Sequence, residues 1–139
     1  MKRFNFVMVI LITICVGLFL ISCYGSGFPP AYTNAGASDL SPAGSEFINT
    51  LLFRFDTSIS GHTLTIPGAS DIISSIPSAT AGNVLLFAIS ADGANPVTIE
   101  GGPNVNVKTS AANVEGNSTL TIYLVVDNAS SGSQQVTIY

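Results

Sequence analysis

Charge is scarce in this chain of 139 residues, of which only 9% are Asp, Glu, Lys or Arg. An average soluble protein has roughly 25%. Bases are scarcer than acids, because after Lys2 and Arg3 the chain holds only Arg54 and Lys108 against eight acids. Proteins that bind nucleic acid draw much of their affinity from Lys and Arg on phosphates. We therefore expect no nucleic-acid partner.

The chain also lacks the residues of familiar catalytic and metal sites. Tryptophan is absent, His62 is the one histidine, and both cysteines precede residue 24, so no disulfide or thiolate metal site can form beyond it. No G-x-S-x-G nucleophile motif or alternating-aspartate calcium loop occurs. Asp92 and Asp127 precede predicted turns, where aspartate accepts hydrogen bonds from its own backbone, and we expect His62 to be solvated or capping. We predict no enzyme activity, no cofactor and no metal.

One long apolar run, VMVILITICVGLFLI, occupies residues 7–21 behind a short basic start. Its length lies between a signal-peptide core of ~7–15 residues and a spanning helix of about 20. We assign residues 1–22 to a hydrophobic signal or anchor helix. Lys2 and Arg3 hold its N-terminus on the cytoplasmic side, so the rest of the chain is exported.

Leu20-Ile21-Ser22-Cys23 closes this run and resembles the lipobox of bacterial lipoprotein precursors. The resemblance implies that Cys23 is lipidated through its sulfur and becomes the mature N-terminus. A thiolate suits this chemistry as a good nucleophile toward the lipid donor, and two or more acyl chains anchor a protein stably. The alternatives are an uncleaved anchor helix and an ordinary secretory leader.

Glycine, proline and serine dominate residues 23–46, where no apolar periodicity is present. Proline blocks regular strand pairing and glycine raises the entropic cost of order. We predict an extended tether that holds the following domain off a membrane.

Alternation of apolar and polar residues predicts a β domain over residues 47–139. One short helix is predicted at 68–77, with Ser70 as its N-cap. The run at 83–90 is apolar on both faces, which predicts a central strand. We expect an all-β, antiparallel β-sandwich or jelly-roll-like domain. The seven predicted strands are 47–56, 62–67, 83–90, 96–100, 104–108, 119–127 and 134–139.

Polar turns and unprotected strand edges are the predicted contact surfaces of this domain. Turns rich in glycine and asparagine lie at 91–95, 100–104 and 128–133. Outward residues are mostly Thr, Ser, Asn and Gln, and uncharged edges favour pairing, so we expect a homo-oligomer. Asn117 and Asn128 begin sequences that fit the N-glycosylation pattern, which matters only in a eukaryotic host.

Residues 62–139 resemble a small all-β module of structural proteins in tailed phages and large DNA viruses. Ile66-Pro67, Ile76-Pro77-Ser78-Ala79, Gly82 and the closing segment 132–139 carry the resemblance. It implies a role on a virion surface, fibre or capsid, commonly as a trimer, without enzyme activity. The membrane-targeting start is a departure from that module. We therefore expect a membrane-tethered virion structural protein, or alternatively a bacterial outer-membrane lipoprotein that acts as an adhesin or envelope assembly subunit.

Overall fold

The structure, a computed structural model, describes residues 32–139. The predicted anchor helix, the predicted lipidation of Cys23 and the first part of the predicted linker lie outside the described residues. Within residues 32–139 no helix is long and apolar enough to cross a membrane.

The described chain is mostly β, with few and short helices. Its elements in chain order are β1 (Tyr32–Gly36), α1 (Gly44–Ile48), β2 (Leu52–Phe55), β3 (His62–Ile66), α2 (Ala69–Ser75), β4 (Val84–Ala91), β5 (Val97–Gly101), β6 (Val105–Val107), a 3₁₀ turn (Thr109–Ala111), β7 (Asn113–Val114), β8 (Ser118–Asn128) and β9 (Gln135–Ile138).

These strands form two sheets. The large sheet has the order β1-β2-β4-β8-β9-β6, and the small sheet has the order β3-β5-β7. The longest pairing joins β4 and β8 antiparallel, from Val84 opposite Val125 to Ala91 opposite Ser118. The two sheets and the shortage of helix confirm the all-β class.

The prediction of purely antiparallel pairing was wrong. β1 with β2, β2 with β4, β3 with β5, and β6 with β9 all pair in parallel. β1 and β2 are consecutive strands, and the segment that joins them contains α1. From β2 to β8 the reason is that the chain alternates between the two sheets. Neighbours within a sheet are then often not consecutive in the chain, and the intervening strand serves as the long connection that a parallel pair needs.

One hydrophobic core lies between the large sheet on one side and the small sheet with the two helices on the other. Three phenylalanine rings mark its centre. Phe47 of α1 stacks on Phe53 at 5.6 Å between ring centroids and meets Phe87 edge-on at 5.0 Å. Such pairs contribute about 0.5–1.5 kcal/mol beyond the burial of their area, so Phe47, with Ile48 partly buried beside it, fixes α1 to the sheet.

The start of the domain differs from the sequence prediction. Residues 32–46, predicted as an extended tether, contain β1 and the first residues of α1. The predicted strand 47–56 is shortened to β2, because Phe47 belongs to α1, and Leu51 is 60% exposed. The predicted helix exists as α2, although its N-cap is Gly68 and not Ser70.

β4 is central in the large sheet, as predicted, yet only one of its faces is buried. Phe87 and Ile89 point into the core and are at most 4% exposed. Val84 and Leu86 point the other way and are 55% and 52% exposed. No described element covers the face of the large sheet on which they lie, and we call it the outer face.

Two neighbouring residues of β4 test this assignment of faces. We expect Phe87→Ala to lower the free energy of unfolding by about 3–5 kcal/mol, since it removes buried volume and leaves a cavity. Leu86→Ala on the outer face should change it by less than about 1 kcal/mol. Urea unfolding of both variants measures the difference. Equal losses would contradict the exposed outer face.

Candidate interaction surface

The outer face is built by the register of β4, β8 and β9. Leu86 lies opposite Tyr123, and Val84 lies opposite Val125. Tyr123 and Tyr139 exchange two backbone hydrogen bonds of 3.0 and 2.8 Å, so their side chains lie next to each other. We call Val84, Leu86, Tyr123, Val125 and Tyr139 the apolar patch.

The apolar patch is open to solvent over much of its area. Val84, Leu86, Tyr123 and Tyr139 are each between 49% and 55% exposed. Four half-exposed side chains of this size present roughly 400 Å² of surface. A contiguous patch of a few hundred Å² on a small domain commonly marks a surface that binds another protein or a membrane.

Tyrosines and cations of the described residues gather on the same face. Lys108 follows β6 and places Nζ 5.9 Å from the centre of the Tyr139 ring, which is the geometry of a cation–π contact. Arg54 of β2 lies beside Tyr32 of β1. The outer face therefore holds all three tyrosines and both cations found in residues 32–139.

A polar recess lies on the outer face at the end of the sheet opposite the apolar patch. Asp92 accepts hydrogen bonds from Arg54 and, at 2.6 Å, from the hydroxyl of Ser90. Ser90 Oγ also lies 3.0 Å from Thr119 Oγ1. The recess has a volume of about 310 Å³ and is lined by Ser90, Ala91, Asp92, Asn117, Ser118 and Thr119. Its hydroxyls, amide and carboxylate can form hydrogen bonds.

The carboxylates of Asp92 and Asp127 do not cap their own backbone, so this prediction was wrong. Asp92 binds side chains in the recess, and Asp127 Oδ2 accepts a 2.6 Å hydrogen bond from Thr137 Oγ1. Strand pairing explains the difference. It brings Thr137 beside the end of β8, where its hydroxyl reaches Asp127. The hydrogen bond from Ser90, with a smaller contribution from Arg54, lowers the pKa of Asp92 although burial opposes the shift.

Two of the three predicted contact loops are packed against the domain. In loop 91–95 a Cβ on Gly93 would lie 2.3 Å from the backbone N of Ser58, and Asn95 Nδ2 donates a 2.8 Å bond to the carbonyl of Thr57. In loop 100–104 the carbonyl of Pro103 accepts a bond from the first residue of α2. These contacts hold both loops in fixed shapes.

Loop 128–133 packs less closely against the domain than the other two, since a Cβ on Gly132 would meet no atom within 4 Å. Its residues 130–133 are exposed, and Gly132 has a φ of +79° that favours glycine. The loop follows the end of β8 at which Val125 pairs with Val84, so it lies at the patch end of the large sheet. Loop 91–95 follows the other end of β4, beside the recess.

His62 is largely buried, so the prediction of a solvated or capping histidine was wrong. Its side chain is 9% exposed, and Nδ1 lies 3.6 Å from Asp39 Oδ1. Its Nε2 is buried without a hydrogen-bond partner among the described residues. The inward placement follows from the first position of β3, which lies next to the ring of Phe55 at 6.5 Å between centroids.

The two predicted glycosylation positions differ in access. Asn117 is exposed in the turn before β8, with φ at +55°. Asn128 is half-buried, and its Oδ1 accepts a 2.9 Å bond from the backbone N of Ser130. Asn117 is therefore the better presented of the two, and glycosylation stays a prediction at both.

No three His, Cys, Asp or Glu side chains come close enough to hold a metal ion within the described part of the chain.

Sequence reasoning missed the apolar patch. Its signal was present at 83–90, where both faces are apolar, but it was interpreted as burial on both sides.

Comparisons with protein-family models, with curated proteins and with solved structures found no match.

The hydrogen bonds of Asp92 predict a pH dependence of stability. Folding lowers the pKa of the Asp92 carboxyl below its value in the unfolded chain, which is about 3.9 for Asp. Such a group stabilises the fold at any pH above its unfolded pKa. The stabilisation is lost as the pH falls through the folded pKa. We expect the urea midpoint to fall from pH 6 to pH 3, and to fall less in Asp92→Asn and in Ser90→Ala. Asp56, whose pKa is lowered by Ser58, accounts for part of the remaining fall. An unchanged pH dependence in Asp92→Asn would contradict this role.

Proposed function

We propose that the chain is a non-enzymatic, membrane-tethered structural module, a virion structural protein that displays its β domain for protein–protein contacts. The uncovered apolar patch is the observation that carries this proposal, since an exposed area of this kind marks a surface that contacts a membrane or another protein. The basic and apolar start of the sequence supports the membrane tether.

We propose a β-sandwich, jelly-roll-like in form, as the finer description of the fold. The shared core between two sheets supports a sandwich. The parallel pairs require a mixed version of that architecture.

The proposed tether is short. Cys23 precedes Tyr32, the first residue of β1, by nine positions. At about 3.3–3.6 Å for each extended residue, these positions span at most roughly 30 Å. A domain held by so short a tether stays close to the bilayer. The domain would therefore be displayed at the membrane surface and not at a distance from it.

Protein contacts are assigned to the ends and edges of the sheets. β1 and β6 are the edges of the large sheet. In the small sheet, the edge of β3 is already engaged, because Leu40 exchanges backbone bonds with Thr63 and Thr65. An edge strand such as β1 or β6 presents backbone groups that another chain can complete. Self-assembly through such edges fits the proposed homo-oligomer.

The second candidate is a bacterial outer-membrane lipoprotein that acts as an adhesin or an envelope assembly subunit. The sequence at residues 20–23 favours it, because a lipobox places a lipid on Cys23. Its domain would use the same surfaces, and only the membrane that carries it would differ.

Intact mass spectrometry of the protein from its native membrane or particle tests the tether. We expect either a chain that begins at Cys23 with added acyl mass, or a full chain from Met1 or Lys2 without lipid. In the first case Cys23→Ser should abolish the acyl mass, and Cys15→Ser should leave it unchanged as the matched control. A shorter chain without lipid would refute the tether.

Fractionation separates the two candidates. A virion structural protein should sediment with purified particles in a density gradient and stay with them through a high-salt wash. An envelope lipoprotein should instead enrich in the outer-membrane fraction of uninfected cells. Recovery only as free protein in solution would contradict both candidates.

A further inference from the structure

We infer that the apolar patch seats the domain on the lipid bilayer that carries its tether, at the boundary between headgroups and acyl chains. This inference rests on the membrane tether of the proposed function and adds an orientation to it. The occupant of the patch is then a lipid surface.

The side chains of the patch suit that boundary. Tyrosine is enriched at membrane interfaces because its ring is apolar and its hydroxyl is polar. Tyr123 lies between Leu86, a fully apolar side chain, and Tyr139, so the three form one continuous surface. Lys108, stacked against Tyr139, places an ammonium group at the rim of the patch, where lipid phosphates would lie.

Most of the acids lie away from the patch. Asp127 is the exception, because it is exposed on β8 beside Val125, and the hydrogen bond from Thr137 does not neutralise a carboxylate. Asp56 and Asp92 lie with Arg54 at the recess end of the outer face. The other five acids lie on the helices, the small sheet or their connections: Asp39, Glu46, Asp71, Glu100 and Glu115.

The described chain begins on the same sheet as the patch. β1, β2 and β4 run in the same direction, with Tyr32 level with Leu52 and Leu52 level with Ala88. Tyr32 therefore lies two strands from the middle of β4, where Leu86 is two residues from Ala88. A bilayer that contacts the patch would pass close to this first residue of the domain.

Because the domain is tethered, a small patch is sufficient to hold it on the bilayer. The roughly 400 Å² of the patch is about half of what one partner contributes to a standard protein interface. A surface held within roughly 30 Å of a bilayer by a short linker meets it at a high effective concentration. A second copy bound through the patch alone would bury only about half of the area that each partner contributes to a standard interface.

Seating the patch orients the rest of the domain. Loop 128–133, at the patch end, would face the bilayer. The recess around Asp92 lies on the same outer face, four residues farther along β4 than Leu86, so it would lie beside the seated patch. The small sheet and the two helices, on the other side of the core, would face away from the bilayer and be available to protein partners together with the sheet edges.

Single tryptophans test the seating, because the chain contains none. Leu86→Trp places a probe in the patch. Ile59→Trp is the matched control, an 89% exposed apolar side chain after β2, at the recess end. The full chain is reconstituted into phosphatidylcholine vesicles with and without brominated acyl chains. We expect bromine to quench Leu86→Trp at least threefold more than Ile59→Trp.

Flotation of the vesicles is measured first and reports on the tether separately. A chain that does not float refutes the tether and this inference with it. A chain that floats with both probes equally quenched or equally unquenched refutes the seating alone. Protection of Leu86→Trp from acrylamide without bromine quenching would show that a second copy covers the patch.

Tyr123→Trp, an aromatic exchange in the same patch, must give the same result as Leu86→Trp for the seating to stand.

Discussion

The antiparallel pairing of β4 with β8 is the interaction on which the rest of the molecule depends. It runs over eight residue pairs at the centre of the large sheet, and its register decides which side chains are buried. Phe87 and Ile122 face each other in the core, while Leu86 and Tyr123 face each other in solvent. A slip of one residue would exchange the two faces. Core and apolar patch are therefore set by a single register.

The scarcity of charge has a structural counterpart in this arrangement. Since few surface residues are ionised, hydroxyl and amide groups supply the polar surface, and many of them bind the backbone or one another. The amide oxygen of Asn83 accepts a hydrogen bond from the backbone N of Thr80. The carboxylate of Asp39 likewise accepts a hydrogen bond from the backbone N of Thr63. Within residues 32–139, Arg54 and Asp92 form the one ion pair between a basic side chain and a carboxylate, apart from the contact of His62 with Asp39. Surface pairs of this kind contribute little to stability, so apolar burial carries the fold.

Alternation in the sequence predicted most strands, because burial on one face imposes a period of two. β3, β8 and β9 appear within a residue of their expected limits. The same pattern says nothing about which strand lies beside which, so the parallel pairs were missed. β1 was missed because it is an edge strand without alternation. α1 was missed because a helix of five residues is too short to show a helical period, and Phe47 was assigned to the strand that follows. The patch was misinterpreted because an apolar face looks the same in sequence whether a neighbour covers it or not.

The proposed tether and the proposed seating of the apolar patch would act on the domain in different ways. The nine positions between Cys23 and Tyr32 would limit the distance between the domain and the membrane, but a limit on distance does not fix an orientation. Contact between the apolar patch and lipid would fix it, because the patch lies on one face of a single sheet. With that face on the bilayer, the small sheet and the two helices on the other side of the core would face away from it.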